Sequence, residues 1–242
     1  MKNVCIPIVV LLVLASTGIA QDQLGGRPAS SPFFTEADEA PKSNPNAITI
    51  ARLHYQGGGD WYWGNSALPN LLTFLRDETG WPVDVEEKRV KIEDDALFSY
   101  PFLFVTGHGT IKFTDDEIER LRQYLLSGGF LFLNDSYGMD KSIRQAVADL
   151  FPEYELEEIP YDHEIYHCFY DFPNGPPKIH EHDKKAATGW GVNIDGRLVL
   201  YYANECDIGD GWEDPQVHND PPEKRLDALK MGVNIVTYSL CY

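Results

Sequence analysis

Three segments of the chain carry imidazoles and carboxylates at spacings that suit a metal ion. In His180-Glu181-His182-Asp183 the imidazoles stand at alternate positions, and in an extended chain alternate side chains project to the same side. Neutral imidazole nitrogens arranged so, joined by His163 or His167, would take a divalent transition metal. The competing reading gives these histidines hydrogen bonds that stitch a long loop to the body of the fold. Glu205, Asp207, Asp210, Glu213 and Asp214 crowd one Gly-interrupted loop. Hard carboxylate oxygens there suit calcium, but the spacing is not that of an EF-hand, and a solvated acidic loop is the plainer expectation. His163-Glu164-Ile165-Tyr166-His167 spells H-E-x-x-H, which binds zinc only when a helix sets both imidazoles on one face. Pro160 and Pro173 bracket it and aromatic residues follow it, so a zinc protease is not expected.

Two further groups are chemical candidates. Asp60-Trp61-Tyr62-Trp63 follows three glycines and offers either an aromatic platform for a sugar or peptide, or rings that cover a sheet end. His108 sits between Gly107 and Gly109, and Asp135, Ser136 and Tyr137 follow Asn134 in a loop closed by Gly138.

Strands and helices alternate around these segments. Residues 47–55 form a β-branched strand that runs into Gly57-Gly58-Gly59, and Leu68, Leu71, Leu72 and Leu75 give the next segment one apolar helical stripe that stops at Gly80. A weak strand at 83–90 precedes apolar strands at 101–106 and 130–133, continuous runs that fit burial on both faces. Between those two, Thr114 and Glu117 form a capping box, with Phe113 and Ile118 as a staple and Ile118, Leu121 and Leu125 as the buried stripe. A third helix carries Ile143, Ala146, Val147 and Leu150. Residues 152–185 are aromatic, rich in His and Pro, and lack a period. A hairpin follows at 191–194 and 197–202 with Asp195-Gly196 as its turn. Asp220 caps the last helix, whose stripe is Leu226, Leu229, Val233, Val236 and Leu240. Such alternation predicts an α/β fold with a mainly parallel, doubly wound sheet. Ligands of such sheets bind outside the carboxyl ends of the strands, which here means the loops at 57–63, 107–109 and 134–138.

The chain begins with Lys2, an apolar run at 4–15 and Gly18-Ile19-Ala20 before Gln21, the order of a cleavable signal peptide over residues 1–20. The apolar run is shorter than the roughly 20 residues of a membrane span. Export to the periplasm or the medium, without stable membrane insertion, is the expectation. Residues 21–46 read as a flexible leader rich in Pro, Ser and acidic residues, and 47–242 as the folded domain. Cleavage removes Lys2, so the net charge of -18 becomes -19. That charge repels phosphate backbones and anionic lipid, which argues against nucleic acid as a partner. Of four cysteines, Cys5 leaves with the signal. Cys168, Cys206 and Cys241 remain, an odd set that allows at most one internal disulfide and is expected to be mostly buried.

Residues 102–109, 128–135 and 162–165 together resemble the class I glutamine amidotransferase superfamily, most nearly its branch similar to trehalose-utilisation proteins; the hairpin and last helix fit the same branch. The whole stretch from 47 to 240 resembles an exported bacterial family defined as a domain of unknown function, through the segments at 58–63, 169–174, 179–183 and 205–214. The resemblance implies a flavodoxin-like sheet with a C-terminal hairpin and helix. In the superfamily the strand after the Gly-Gly turn ends on a nucleophilic Cys, the thiolate that glutaminase chemistry needs. This chain has Asn134, Asp135 and Ser136 there, so glutaminase activity is not expected, and Ser136 would need His163 or His108 beside it as a base. Two functions follow as expectations. The first is a non-enzymatic envelope module that binds a protein or small molecule through Asp60, Trp61, Trp63, His108, Asp135, Ser136 and Tyr137. The second is a metal-dependent hydrolase using His163, His180, His182, Glu205 or Asp207, with a divalent metal as its cofactor.

Overall fold

The computed structural model describes residues 44 and 46–242, so the signal-like segment and nearly all of the leader lie outside the described residues. In order along the chain come β1 (Ile50–His54), α1 (Ala67–Thr79), β2 (Lys88–Lys91), β3 (Phe102–Val105), α2 (Asp115–Leu126), β4 (Phe130–Asn134) and α3 (Asp140–Leu150). They are followed by β5 (Glu157–Glu158), β6 (Thr188–Ile194), β7 (Arg197–Asn204), α4 (Pro215–His218) and α5 (Pro222–Cys241). The seven strands make one sheet in the order β2-β1-β3-β4-β7-β6-β5. Pairings from β2 through β7 are parallel, while β6 runs antiparallel to β7 and β5 antiparallel to β6. The order 2-1-3-4 is that of flavodoxin-like sheets.

Period-two alternation divides the strand residues between two cores. Phe102, Phe104, Phe130, Phe132 and Tyr201 face α1 and α5, whereas Leu103, Val105, Leu131, Leu133 and Leu200 face α2 and α3. Helices on both sides explain why β3 and β4 read as unbroken apolar runs. The phenyl rings stack across strands, Phe102 on Phe130 at 5.4 Å and Phe104 on Phe132 at 5.6 Å between centroids, each buried ring contributing about 1.5–3 kcal/mol.

Local signals hold at most helix ends. The four leucines of α1 are fully buried and Gly80 closes it at φ 69°. The Thr114 hydroxyl accepts from the Glu117 amide at 3.3 Å, and the Glu117 carboxylate accepts from the Thr114 amide at 2.7 Å. Ile118 is only half-buried, and Tyr124 joins Leu121 and Leu125 in the buried face of α2. The hairpin turn has positive φ at both Asp195 (53°) and Gly196 (84°), as a two-residue turn between twisted strands demands. Asp220 is not the cap of α5: that position is Pro221, and the Asp220 carboxylate is engaged elsewhere.

The aperiodic stretch from 152 to 185 folds over one edge of the sheet. It supplies β5, a single 3-10 turn at Glu164–Tyr166, and the buried side chains Ile159, Ile165, Tyr166 and Ile179. Because β1, β3, β4 and β7 are parallel, their carboxyl ends open on one pole, and the loops at 55–66, 106–112, 134–139 and 204–214 gather there.

Candidate functional site

At this pole β7 ends and the chain turns sharply, with Glu205 and Asp207 both at φ 57°. Left-handed backbone at two acidic residues in one turn is strained, and such strain concentrates at working sites. The amide of Ile179 donates to the Cys206 carbonyl at 2.8 Å, which lays the following residues beside the turn. Both imidazoles of the His180-x-His182 pair thereby reach one carboxylate oxygen. His180 Nδ1 lies 2.5 Å and His182 Nε2 3.0 Å from Asp207 Oδ2. The other oxygen, Asp207 Oδ1, is buried without a hydrogen-bond partner. On its far side His180 Nε2 meets Asp220 Oδ2 at 3.0 Å.

A 3-10 turn at Asp210–Trp212 brings in a second set of donors. Asp210 Oδ1 accepts from the Trp63 indole N–H at 3.2 Å and from the Ser136 hydroxyl at 3.4 Å. Its Oδ2 faces His218 Nε2 at 3.5 Å and His180 Nδ1 at 3.9 Å. His218 Nε2 also meets Glu213 Oε2 at 2.8 Å. Asn134, at the end of β4, accepts the Gly209 amide at 2.9 Å and so fixes where this turn begins. The pair with Asp207, then that with Asp220, raises the His180 pKa to about 9. Burial, with repulsion from Asp207, holds the Asp210 carboxyl well above the usual carboxylate range despite His218 and His180 beside it.

Next to this cluster, at the point where strand order reverses between β1 and β3, His108 leaves the sheet. Its amide donates to Asp60 Oδ1 at 2.5 Å and its Nδ1 lies 3.1 Å from Asp60 Oδ2. Gly107 before it has φ 141°, and a Cβ there would stand 2.5 Å from Tyr55 Oη and 2.9 Å from Asp60 Oδ1. Trp63 links the two groups, edge-on to His108 at 4.9 Å while bonded to Asp210. Tyr137 lies over His182 at 4.9 Å. Trp61 is no free platform: it stacks on His54 at 4.1 Å with Arg89 over it. The exposed ring is Tyr62, which with Trp63, Ser66, Glu213 and Val217 walls a cavity of about 460 Å³.

Five expected residues take roles other than the expected ones. His163 packs on Tyr238 near the end of α5, at the opposite pole, and its Nδ1 accepts from the Ile165 amide. His167 is held by Asp171 and the Tyr161 carbonyl. The H-E-x-x-H segment is a one-turn 3-10 helix, so neither imidazole joins the cluster and a zinc-protease helix does not form. Glu205 is tied to Lys178 and Lys185, at 3.5 and 3.6 Å. Asp135 accepts from the Met139 amide at the start of α3 and from the Tyr202 hydroxyl, a structural cap. Ser136 is fully buried; its hydroxyl contacts Thr106, Asn134 and Asp210, and neither His108 nor His163 is beside it as a base.

Sequence reasoning did not single out His218, and it read Asp220 as a cap. The available signal was a histidine set among five nearby acidic residues, Asp207, Asp210, Glu213, Asp214 and Asp220. It also missed Arg52, a fully buried guanidinium inside β1. Arg52 pairs with Glu87 at 2.9 Å and donates to the carbonyls of Trp63 and Gly64, thereby fixing the loop that carries Trp63.

No curated protein matches the chain. A family model does, that of the domain of unknown function DUF4159, over residues 49–240. That span takes in every residue of the cluster at the strand ends, and the chain therefore belongs to the DUF4159 family.

Proposed function

We propose that this chain is an exported, metal-dependent hydrolase built on a class I glutamine amidotransferase-like scaffold, with the thiol of that superfamily replaced by a His and carboxylate centre. One observation carries the reading: three imidazoles and the carboxylates of Asp207, Asp210, Glu213 and Asp220 converge at the carboxyl ends of β4 and β7. A divalent ion there would polarise a substrate carbonyl or phosphoryl oxygen, or lower the pKa of a bound water. The residues that would hold it are His180 with His182 and Asp207, or His180 with Asp210 and His218. The signal-like segment at residues 1–20 supports export. The absence of a thiol and the burial of Ser136 argue against acyl transfer at the elbow.

A binding module of the cell envelope is the second reading, favoured by the cavity between Tyr62 and Trp63, where an exposed ring and polar groups face one space. The two separate in one experiment. Protein loaded with zinc or manganese is assayed against chromogenic esters, amides, phosphate esters and glycosides. Turnover that chelator abolishes and metal restores supports the hydrolase. A metal-loaded protein inert to the whole set leaves the binding module.

A further inference from the structure

We propose that His180, His182 and Asp207 hold a single zinc-class ion, with Asp210 and His218, the second triad around His180, beside it, and that Asp220 fixes the tautomer through which His180 binds it. The assignment rests on the reading above that the crevice carries a metal, but not on the hydrolytic reaction.

The donor atoms lie close together in two groups, within 4.8 Å of one another inside each. From His180 Nδ1 to Asp207 Oδ2 is 2.5 Å and to Asp210 Oδ2 3.9 Å; His182 Nε2 stands 3.0 Å from Asp207 Oδ2, and His218 Nε2 3.5 Å from Asp210 Oδ2. Donors about 2.1 Å from a common ion lie roughly 3 to 4 Å apart around it, so the 2.5 Å contact of His180 with Asp207 is a hydrogen bond that an ion would open as it replaces the proton. The two triads, His180 with Asp210 and His218, and His180 with His182 and Asp207, share one imidazole. Two imidazoles and a carboxylate, with a third imidazole and a second carboxylate at hand, suit zinc, cobalt or ferrous iron and are too rich in nitrogen for calcium.

Asp207 gives an independent reason. Its side chain is 1 % exposed, and its Oδ1 is buried with no hydrogen-bond partner. An unpaired buried carboxylate oxygen costs upward of about 1–3 kcal/mol, and a cation bound by that carboxylate would offset the cost. The other carboxylates are nearly as deep: Asp210 and Glu213 are 6 % exposed and Asp220 10 %. Buried charge at this density calls for a counter-ion.

Asp220 supplies the orientation. It receives Nε2–H of His180 at 3.0 Å, so Nδ1, which donates to Asp207, is the nitrogen that would give up its proton to an ion. A carboxylate behind a metal-binding imidazole is the common means of setting its tautomer and basicity. Trp63 and Ser136 occupy Oδ1 of Asp210, which leaves its Oδ2 toward His180 and His218.

The test is a cobalt titration of the chelator-stripped full chain, followed by its visible d–d absorption and competed with zinc. The expected result is one ion per chain. In His180→Gln and Asp207→Asn one-to-one binding is lost, Asp220→Asn weakens it by about 10–100-fold at unchanged stoichiometry, and His167→Gln leaves it unchanged. X-ray absorption of the unmutated zinc protein gives a check that needs no variant to fold: a nitrogen and oxygen shell with imidazole scattering supports the assignment, and a sulfur shell overturns it. No cobalt uptake, two ions per chain, or unchanged binding in His180→Gln and Asp207→Asn would also overturn it, and unchanged binding in Asp220→Asn removes that residue's part. A chain that binds cobalt as expected yet hydrolyses nothing keeps the site and loses the reaction; turnover without metal does the reverse.

Discussion

The Ser136 hydroxyl spends its bonding capacity on Thr106, Asn134 and Asp210, inside the protein and away from any imidazole base. Ser136→Ala is therefore expected to lower stability by about 1 kcal/mol, the net worth of a buried hydrogen bond, while cobalt affinity changes by less than tenfold. Complete loss of a metal-dependent turnover with binding intact would restore a nucleophile role. His163 is a different kind of residue: burial against α5 lowers its pKa below the ordinary 6.5. The folded state thus favours the neutral imidazole, and the unfolded chain takes up the proton first as pH falls. His163 contributes stability that is fully present above pH 6.5 and is lost on acidification towards its lowered folded pKa. Urea midpoints measured from pH 8 to 5 should fall less steeply in His163→Asn than in the unmutated chain; identical slopes would refute this. The same imidazole looked like a metal ligand in the sequence because H-E-x-x-H is a pattern of letters, whereas coordination requires the helix that Pro160 and the aromatic run prevent here.

Among the elements, β1 positions the site in a way its sequence conceals. Arg52 lies buried within β1, and its guanidinium spans the Glu87 carboxylate and the backbone carbonyls of the Trp63 loop. Glu87→Ala would strand that charge in the interior, where loss of a partner costs about 3–5 kcal/mol. Thermal and denaturant unfolding check it, and a change under 1 kcal/mol would show that the loop carbonyls alone satisfy Arg52. Gly107→Ala is expected to displace Tyr55 and Asp60 and so to loosen His108, readable as an altered His108 imidazole resonance in NMR. Periodic signals made most elements legible: the leucine stripe of α1, the capping box of α2 and the apolar runs of β3 and β4 each answer to a local rule. The segment at 152–185 obeys none. Its course is set by long-range contacts, such as Ile179 with Cys206 and Lys224 with the Ile179 carbonyl, which no window of sequence contains.

For the molecule as a whole, the candidate site was legible in halves. His180, His182 and Asp207 were visible as a spaced pair and a crowded acidic loop; what was hidden is that one imidazole joins both, with His218 and Asp220 reached through the short α4 and the start of α5. The cysteines are the complement of that cluster. Cys206 is fully buried and its thiol pKa is pushed up by burial, and burial pushes Cys168 up to about 12. Since the thiolate is the reacting form, both should be alkylated more than about 100-fold more slowly in the native chain than after unfolding. Mass spectrometry after brief exposure to iodoacetamide reads this, and rapid native labelling of either would contradict it. The two borders of the sheet bear on a different property. On one side β2 carries half-buried Lys88 and exposed Arg89 and Lys91, each matched to a nearby carboxylate; on the other β5 is two residues long and both are exposed glutamates. A neighbouring copy would find at β5 a short, negatively charged rim and at β2 charges already satisfied, so neither border invites another strand to add to it. The folded sheet is thereby guarded against growing edge to edge into fibres.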